Sequence, residues 1–153
     1  MTNGGALKEL DETDHALLEA VQRDGRATLS DLAGEIRLSV SATRARLRAL
    51  EDQRIITAYA AHVDPEAVGY PLRAVVRMRM DGPLFDTRIA TVLERHPQIV
   101  RCLRVTGESC YMMEIVATGL RDLEEITDDL AQIGPITTDL VYEVIADKPT
   151  PVP

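Results

Sequence analysis

The apolar residues of this chain repeat with two different periods, and the change between them restricts what it can fold into. From residue 10 to residue 54 the spacing is helical. Leu17, Leu18 and Val21 make one stripe, Leu29, Leu32, Ala33 and Ile36 a second, and Thr43, Leu47 and Leu50 a third. From residue 72 the period becomes two: Leu72, Ala74, Val76, Met78 and Met80 alternate with Arg73, Val75, Arg77 and Arg79. Helices followed by a strand-bearing segment make an α+β chain. With 153 residues, 45% apolar and 27% charged, there is room for one domain or two small ones. Disorder is excluded for most of the length. No stretch approaches about 18 uncharged apolar residues, so no membrane partner is expected. Residues 1–9 have no apolar run, so no secretory signal is expected there, and the cytoplasm is the expected location.

The first half reads as three short helices. Asp11 is a fitting N-cap for the first, and Gly25 ends it. Thr28 starts the second, with Asp31 three residues on as a short capping box. After a break at Arg37-Leu38, Ser39 caps the third, which turns Thr43, Leu47 and Leu50 inward. Ser41, Arg44, Ala45 and Arg48 then point away from that stripe, with Arg46 at its edge. A short helix, a tight turn and a helix with an outward Arg/Ser face describe a helix-turn-helix. Residues 55–63 are β-prone and read as a wing or as a strand leading out. Pro65, Gly69 and Pro71 mark residues 64–70 as a linker or hinge.

The second half alternates strands and helices. After the strand at residues 72–80, Asp81-Gly82-Pro83 ends it. Phe85, Ile89, Val92 and Leu93 repeat at helical spacing up to His96-Pro97. Residues 99–105 and 110–117 are strands around a turn at Gly107-Glu108-Ser109. Leu120, Leu123, Ile126, Leu130 and Ile133 form an amphipathic helix closed by Gly134-Pro135, and residues 136–146 a last strand. The order is βαββαβ, a ferredoxin-like unit with both helices on one sheet face. The expected division is a winged helix-turn-helix at residues 10–63, a linker at 64–70 and the ferredoxin-like domain at 71–147. On the other sheet face Arg77, Arg79, Glu114, Asp139 and Glu143 lie among Val75, Met112, Val116, Val141 and Ile145. An ordinary half-solvated sheet accounts for that pattern; a subunit interface, with charges pairing across a dyad, accounts for it better.

The net charge of −8 argues against binding nucleic acid over the whole surface. Between Arg37 and Arg54, however, there are five arginines (37, 44, 46, 48, 54) against Glu51 and Asp52. A merely solvated helix face would also explain them. Asp122, Glu124, Glu125, Asp128 and Asp129 form a solvated acidic face on the last helix. His15, His62 and His96 are scattered with no catalytic or ligand partner at usable spacing, so no metal or cofactor is expected. If the strands meet around residues 106–109, Val105 pairs near Cys110 and Cys102 near Met113, which places the two sulfurs badly for a disulfide.

Leu10-Asp11-x-x-Asp14, Arg23-Asp24-Gly25-Arg26, Leu32-Ala33, Leu38-Ser39-x-Ser41, Arg46-Leu47, Leu50-Glu51, Ile55-Ile56-x-Ala58-Tyr59, Asp64-Pro65, Gly69-Tyr70 and Val105-Thr106-Gly107 resemble, in register, the Lrp/AsnC (feast/famine) transcription regulators. The resemblance spans roughly residues 10–146. It implies a sequence-specific DNA-binding homodimer, joined through its second domains and able to assemble further into octamers. Its assembly or DNA affinity would be modulated by a small molecule such as an amino acid, and it would not be an enzyme. The implied DNA-binding residues are Ser39, Ser41, Arg44, Arg46 and Arg48, with Arg44 reading bases and Arg46 and Arg48 holding phosphate on double-stranded DNA. The operator would be an inverted repeat. The implied effector-binding residues are Thr106, Gly107, Glu108, Ser109, Cys110, Tyr111, Thr137 and Thr138.

Two positions depart from the family pattern. Its loop commonly runs Gly-x-x-Asp-Tyr, and here Cys110 stands where the Asp usually does. A carboxylate can hold an ammonium group, which a thiol does poorly. A glycine usual after the recognition helix is Arg54 here, so that turn lacks an easy residue for positive φ. Sirohaem decarboxylases resemble the same family in both domains but tend to lose the basic helix, whereas Arg44, Arg46 and Arg48 remain here. A small-molecule-binding assembly module with a vestigial DNA domain is disfavoured on the same ground.

Overall fold

A computed structural model of the protein describes residues 10–80 and 87–153, and they divide into two compact units. The first unit holds residues 10–61 together with Ala146–Pro153; the second is His62–Ile145.

Three helices build the first unit: α1 (Glu12–Arg23), α2 (Leu29–Glu35) and α3 (Val40–Asp52). Their starts are set by the residues expected. Asp11 accepts a hydrogen bond from the Asp14 N–H, and the Asp14 carboxylate returns one from the Asp11 N–H. Thr28 and Asp31 make the same reciprocal pair on α2, and the Ser39 hydroxyl accepts from the Ala42 N–H on α3. Leu17, Leu18, Ala20, Val21, Leu32 and Leu50 close the core. The last residues of the chain join it: Val152 rests on this cluster, and Gln22 Nε2 donates to the Thr150 carbonyl at 3.1 Å. The tail therefore packs on the helices.

Residues 55–63, expected as a wing or strand, form no strand; 57–64 are irregular and exposed. Small and polar residues such as Ala58, Ala60, Ala61 and His62 leave this stretch little to bury. Residues 64–70, read as a linker or hinge, carry a structured turn. Asp64 accepts from the Glu66 N–H, Glu66–Val68 makes one 3-10 turn, and Gly69 closes it at φ 97°.

Two arginines also adopt the left-handed region: Arg37 at φ 56° and Arg54 at φ 57°. A Cβ there crowds the following carbonyl, at a cost of about 1 kcal/mol or more each. The turns fix these angles. Leu38 N–H reaches Ala33 O, and the N–H groups of Ile55 and Ile56 both reach Leu50 O.

The second unit is the expected βαββαβ: β1 (Leu72–Met78), α4 (Thr87–Arg95), β2 (Ile99–Arg104), β3 (Tyr111–Ala117), α5 (Leu120–Ala131) and β4 (Ile136–Leu140). The order across the antiparallel sheet is β2-β3-β1-β4. Ala74, Val76, Met78, Met113 and Ile115 face Ile89 and Val92 of α4 and Leu123, Ile126 and Leu130 of α5. The expectations at residues 81–86, Phe85 among them, lie outside the described residues. β4 is shorter than expected. After the Val141 N–H reaches Arg73 O the pairing stops, and Tyr142, Val144 and Ile145 are left exposed. Among the described residues no helix is long and apolar enough to cross a membrane.

Gly134 does more than end α5. A Cβ at that position would lie 2.5 Å from the Arg79 carbonyl oxygen, beside the bond from the Arg79 N–H to Pro135 O. Neither backbone can yield cheaply. Gly134→Ala should therefore cost about 2 kcal/mol of stability, read as a lower urea midpoint at unchanged m-value. An unchanged midpoint would show that this turn is loosely held.

Acid should loosen both units. The Asp11 carboxyl is held low by the Asp14 backbone N–H and by Arg46, and Asp31 by the hydroxyl and N–H of Thr28. In the second unit Asp129 is held low by His96 and Arg95. A depressed folded value means stability that is present above the ordinary value of 3.8 and lost as pH falls through the lower folded value. The thermal midpoint should thus fall as the pH drops below the ordinary carboxylate value of 3.8, and the fall should be smaller in Asp31→Asn. Equal acid sensitivity in that variant would remove Asp31 from the account.

Candidate nucleic-acid interface and effector loop

Helix α3 is anchored by Thr43 and Leu50, both at 0% exposure, and by half-buried Leu47. The Thr43 hydroxyl donates to the Ser39 carbonyl at 3.0 Å, so this buried polar group is satisfied within the helix. Rotation about that anchored stripe leaves Ser41, Arg44, Ala45 and Arg48 exposed. Among the described residues neither Arg44 nor Arg48 makes an ion pair. Ser39 and Ser41 stand together at the helix start, their hydroxyls 3.1 Å apart. The first-turn N–H groups there have no partner further up the helix, and they favour an anion.

Arg46 behaves differently. Its guanidinium lies 2.8 Å from Asp14 and 2.7 Å from Asp11, and the Asp14 side chain is only 4% exposed. These two carboxylates hold its proton still more firmly than usual. Arg46 thus ties α3 to the start of α1, a use the sequence reading did not assign to it. The signal was there: Asp14 sits at the buried position of the stripe running Leu10, Asp14, Leu17, Leu18, Val21, and a buried carboxylate needs a partner.

Tyr59 lines a small groove of about 250 Å³ with Val21, Leu32 and Leu47. Its hydroxyl donates to Glu51 at 2.7 Å. Burial of the ring and that carboxylate push the phenol up to about 12.

In the second unit the β2–β3 turn runs as expected. The Val105 N–H donates to Cys110 O at 3.0 Å, and Cys102 stands opposite Met113. Both cysteines are free. Gly107 takes φ 109°, the angle that lets the turn close. The Cys110 N–H donates to Met78 O at 2.8 Å, which fixes the loop to the end of β1. Thr106, Gly107 and Glu108 are exposed, Ser109 and Cys110 half-buried, and Tyr111 is 9% exposed within the second core. Tyr111, Met78 and Ile136 are paired across three strands, so this loop and the start of β4 share one end of the sheet. Thr137 and Thr138 follow there, but as successive strand residues they point to opposite faces. Thr138 pairs with Val76 on the helix side, and Thr137 with Arg77 on the outer side. One pocket can therefore take only one of the two from a given face.

The outer face carries Arg101, Leu103, Met112, Glu114, Val75, Arg77, Thr137 and Asp139 in cross-strand rows. Arg77 pairs with Asp139 at 2.9 Å and Arg101 with Glu114 at 3.5 Å. Among the described residues no group of three or more His, Cys, Asp or Glu is placed to hold a metal ion.

Residues 10–57 match the winged helix-turn-helix DNA-binding family model, and residues 73–151 match the Lrp/AsnC ligand-binding domain. The chain belongs to the Lrp/AsnC family of transcriptional regulators. It is 34% identical to the HTH-type transcriptional regulator LrpA of Mycobacterium tuberculosis, over 84% of this chain and 86% of the relative. Among solved structures it is similar to the feast or famine regulatory protein of M. tuberculosis complexed with L-methionine. There the TM-score is 0.85 at 30% identity, over 95% of this chain and 100% of the other. A transcriptional regulator of Neisseria meningitidis in complex with L-methionine gives a TM-score of 0.84 at 28% identity, over 95% and 97% of the two chains. As an Lrp/AsnC protein the chain is a transcriptional regulator with a helix-turn-helix for DNA and a second domain of the ligand-binding type.

Proposed function

We propose that this Lrp/AsnC protein is a cytoplasmic homodimer that binds an inverted-repeat operator through α3 and is modulated by a small molecule held near residues 106–111. The observation that carries the DNA reading is the exposed Arg44 and Arg48, which make no ion pair among the described residues, on a helix anchored from behind. Two such helices related by a dyad reach successive major grooves, with half-sites about one helical turn or a multiple apart. Within this reading Arg44 reads bases and Arg48 holds phosphate, with Ser39 and Ser41 at the helix start. The clamp on Asp14 and Asp11 makes Arg46 a positioning residue first.

The dimer reading is supported by the outer sheet face, where charged pairs alternate with Val75, Leu103 and Met112, and by the exposed Tyr142 and Ile145 that follow β4. Sedimentation at micromolar concentration should give a dimer or a multiple of it. A monomer would remove this part.

The effector reading is supported by relatives seen with L-methionine and by a loop tied to the sheet end through Cys110. Because Cys110 lacks a carboxylate for an ammonium group, free amino acids should bind weakly. A thermal-shift titration with L-methionine tests this. A ligand at a hundredfold excess over Kd stabilises the native state by about 2.7 kcal/mol, so Cys110→Asp should show a larger shift than the parent at equal ligand. Equal shifts would place the ammonium contact elsewhere.

A further inference from the structure

Two side chains of the first unit have no partner among the described residues, although each sits on a left-handed backbone that suits glycine better: Arg37 and Arg54. Arg37 lies two residues before the Ser39 cap of α3, and Arg54 two residues after its last residue, Asp52. Both are exposed, and among the described residues neither side chain makes a hydrogen bond or ion pair. Other arginines of this unit are engaged, Arg23 with Glu35 and Arg46 with Asp14. The turns require a left-handed residue at these positions, and glycine would supply one without strain. An arginine there costs stability and returns nothing within the domain.

At about 1.5 Å per residue, the 13 residues of α3 span roughly 20 Å. A major groove is about 12 Å wide. A helix of this length that crosses the groove at an angle therefore carries the residues just beyond its ends toward the phosphates along the groove's edges. We infer that Arg37 and Arg54 are phosphate-contacting residues that bracket α3 on DNA, kept as arginine at the expense of backbone strain. The inference rests on the reading of α3 as the DNA-binding helix and adds two residues to it.

The test is the double variant Arg37→Gly/Arg54→Gly, with Arg26→Ala as the control. Arg26 is exposed in the turn between α1 and α2 and carries the same charge away from α3. Binding to a mixed-sequence duplex is followed by fluorescence anisotropy between about 50 and 200 mM salt. The slope of log K against log salt should flatten by about 0.9 per lost contact, or about 1.8 in the double variant. Arg26→Ala should leave the slope alone, and Arg37→Lys/Arg54→Lys should retain most of it. Since the glycines relieve the backbone, the thermal midpoint of the double variant should equal or exceed that of the parent.

A parental slope in the double variant, or a flattening per charge just as large in Arg26→Ala, overturns the inference while leaving the DNA reading intact. A thermal midpoint below the parent's overturns it too, since the side chains would then serve the fold. If the parent itself binds duplex DNA with no salt dependence, the reading of α3 fails and the inference falls with it.

Discussion

Replacing Arg44 and Arg48 together by alanine is expected to weaken DNA binding by roughly tenfold to a thousandfold, with the fold unchanged. The lower figure corresponds to loss of phosphate contacts. The upper one applies if Arg44 bridges guanine O6 and N7, an interaction worth about 1–3 kcal/mol of discrimination. The double variant should also flatten the salt dependence by up to about 1.8 in log–log slope. Stability should hardly move, because both side chains are exposed and, among the described residues, make no ion pair. The two single variants separate the roles. Arg44→Ala should relax sequence preference, and Arg48→Ala should weaken all sequences alike. An unchanged slope in the double variant would take α3 out of the DNA interface.

Asp14→Ala should have the opposite profile, a large loss of stability with DNA binding lost only as a consequence. The change removes a side chain 4% exposed that bonds Arg46 at 2.8 Å and takes part in the α1 capping box. A charged hydrogen bond and a cap together suggest about 2 kcal/mol. Arg46 is 34% exposed and can rehydrate, so the larger penalty of a fully stranded charge does not apply. Asp14→Asn keeps the shape and a cap acceptor and should recover part of the loss. If urea unfolding of Asp14→Ala matches the parent, Arg46 does not brace α3 against α1. In that case Arg46 returns to the phosphate contacts.

These two variants also mark where reading the residues succeeded and where it stopped. Local chemistry placed the helix starts at Asp11, Thr28 and Ser39, because each supplies an oxygen within reach of its own first turn. Period two located β1, and its core-facing alternation from Ala74 to Met78 is what the sheet shows. The pairing of Val105 with Cys110 followed from strand geometry alone. Contacts between distant residues were harder. Arg46 was assigned by its place on one helix, while its partner stands 32 residues away on another. The end of β4 was extended because residues 141–145 are β-prone, but pairing stops once Arg73 has been reached. Propensity supplies no neighbouring strand. The left-handed angle of Arg37 left no trace, since its identity argues against the conformation that the turn imposes. Gly134 was read as a helix stop, although its tightest constraint is the carbonyl of Arg79, just past the end of β1.

The central claim is that two copies of this chain present α3 to DNA around a dyad. Selection of bound duplexes from a random-sequence library by the purified protein tests it most directly. The account predicts enrichment of a two-fold symmetric motif, its half-sites about 10 base pairs or a multiple apart, and no enrichment with Arg44→Ala/Arg48→Ala. Failure to enrich any motif, or enrichment of the same motif by the double variant, would contradict it.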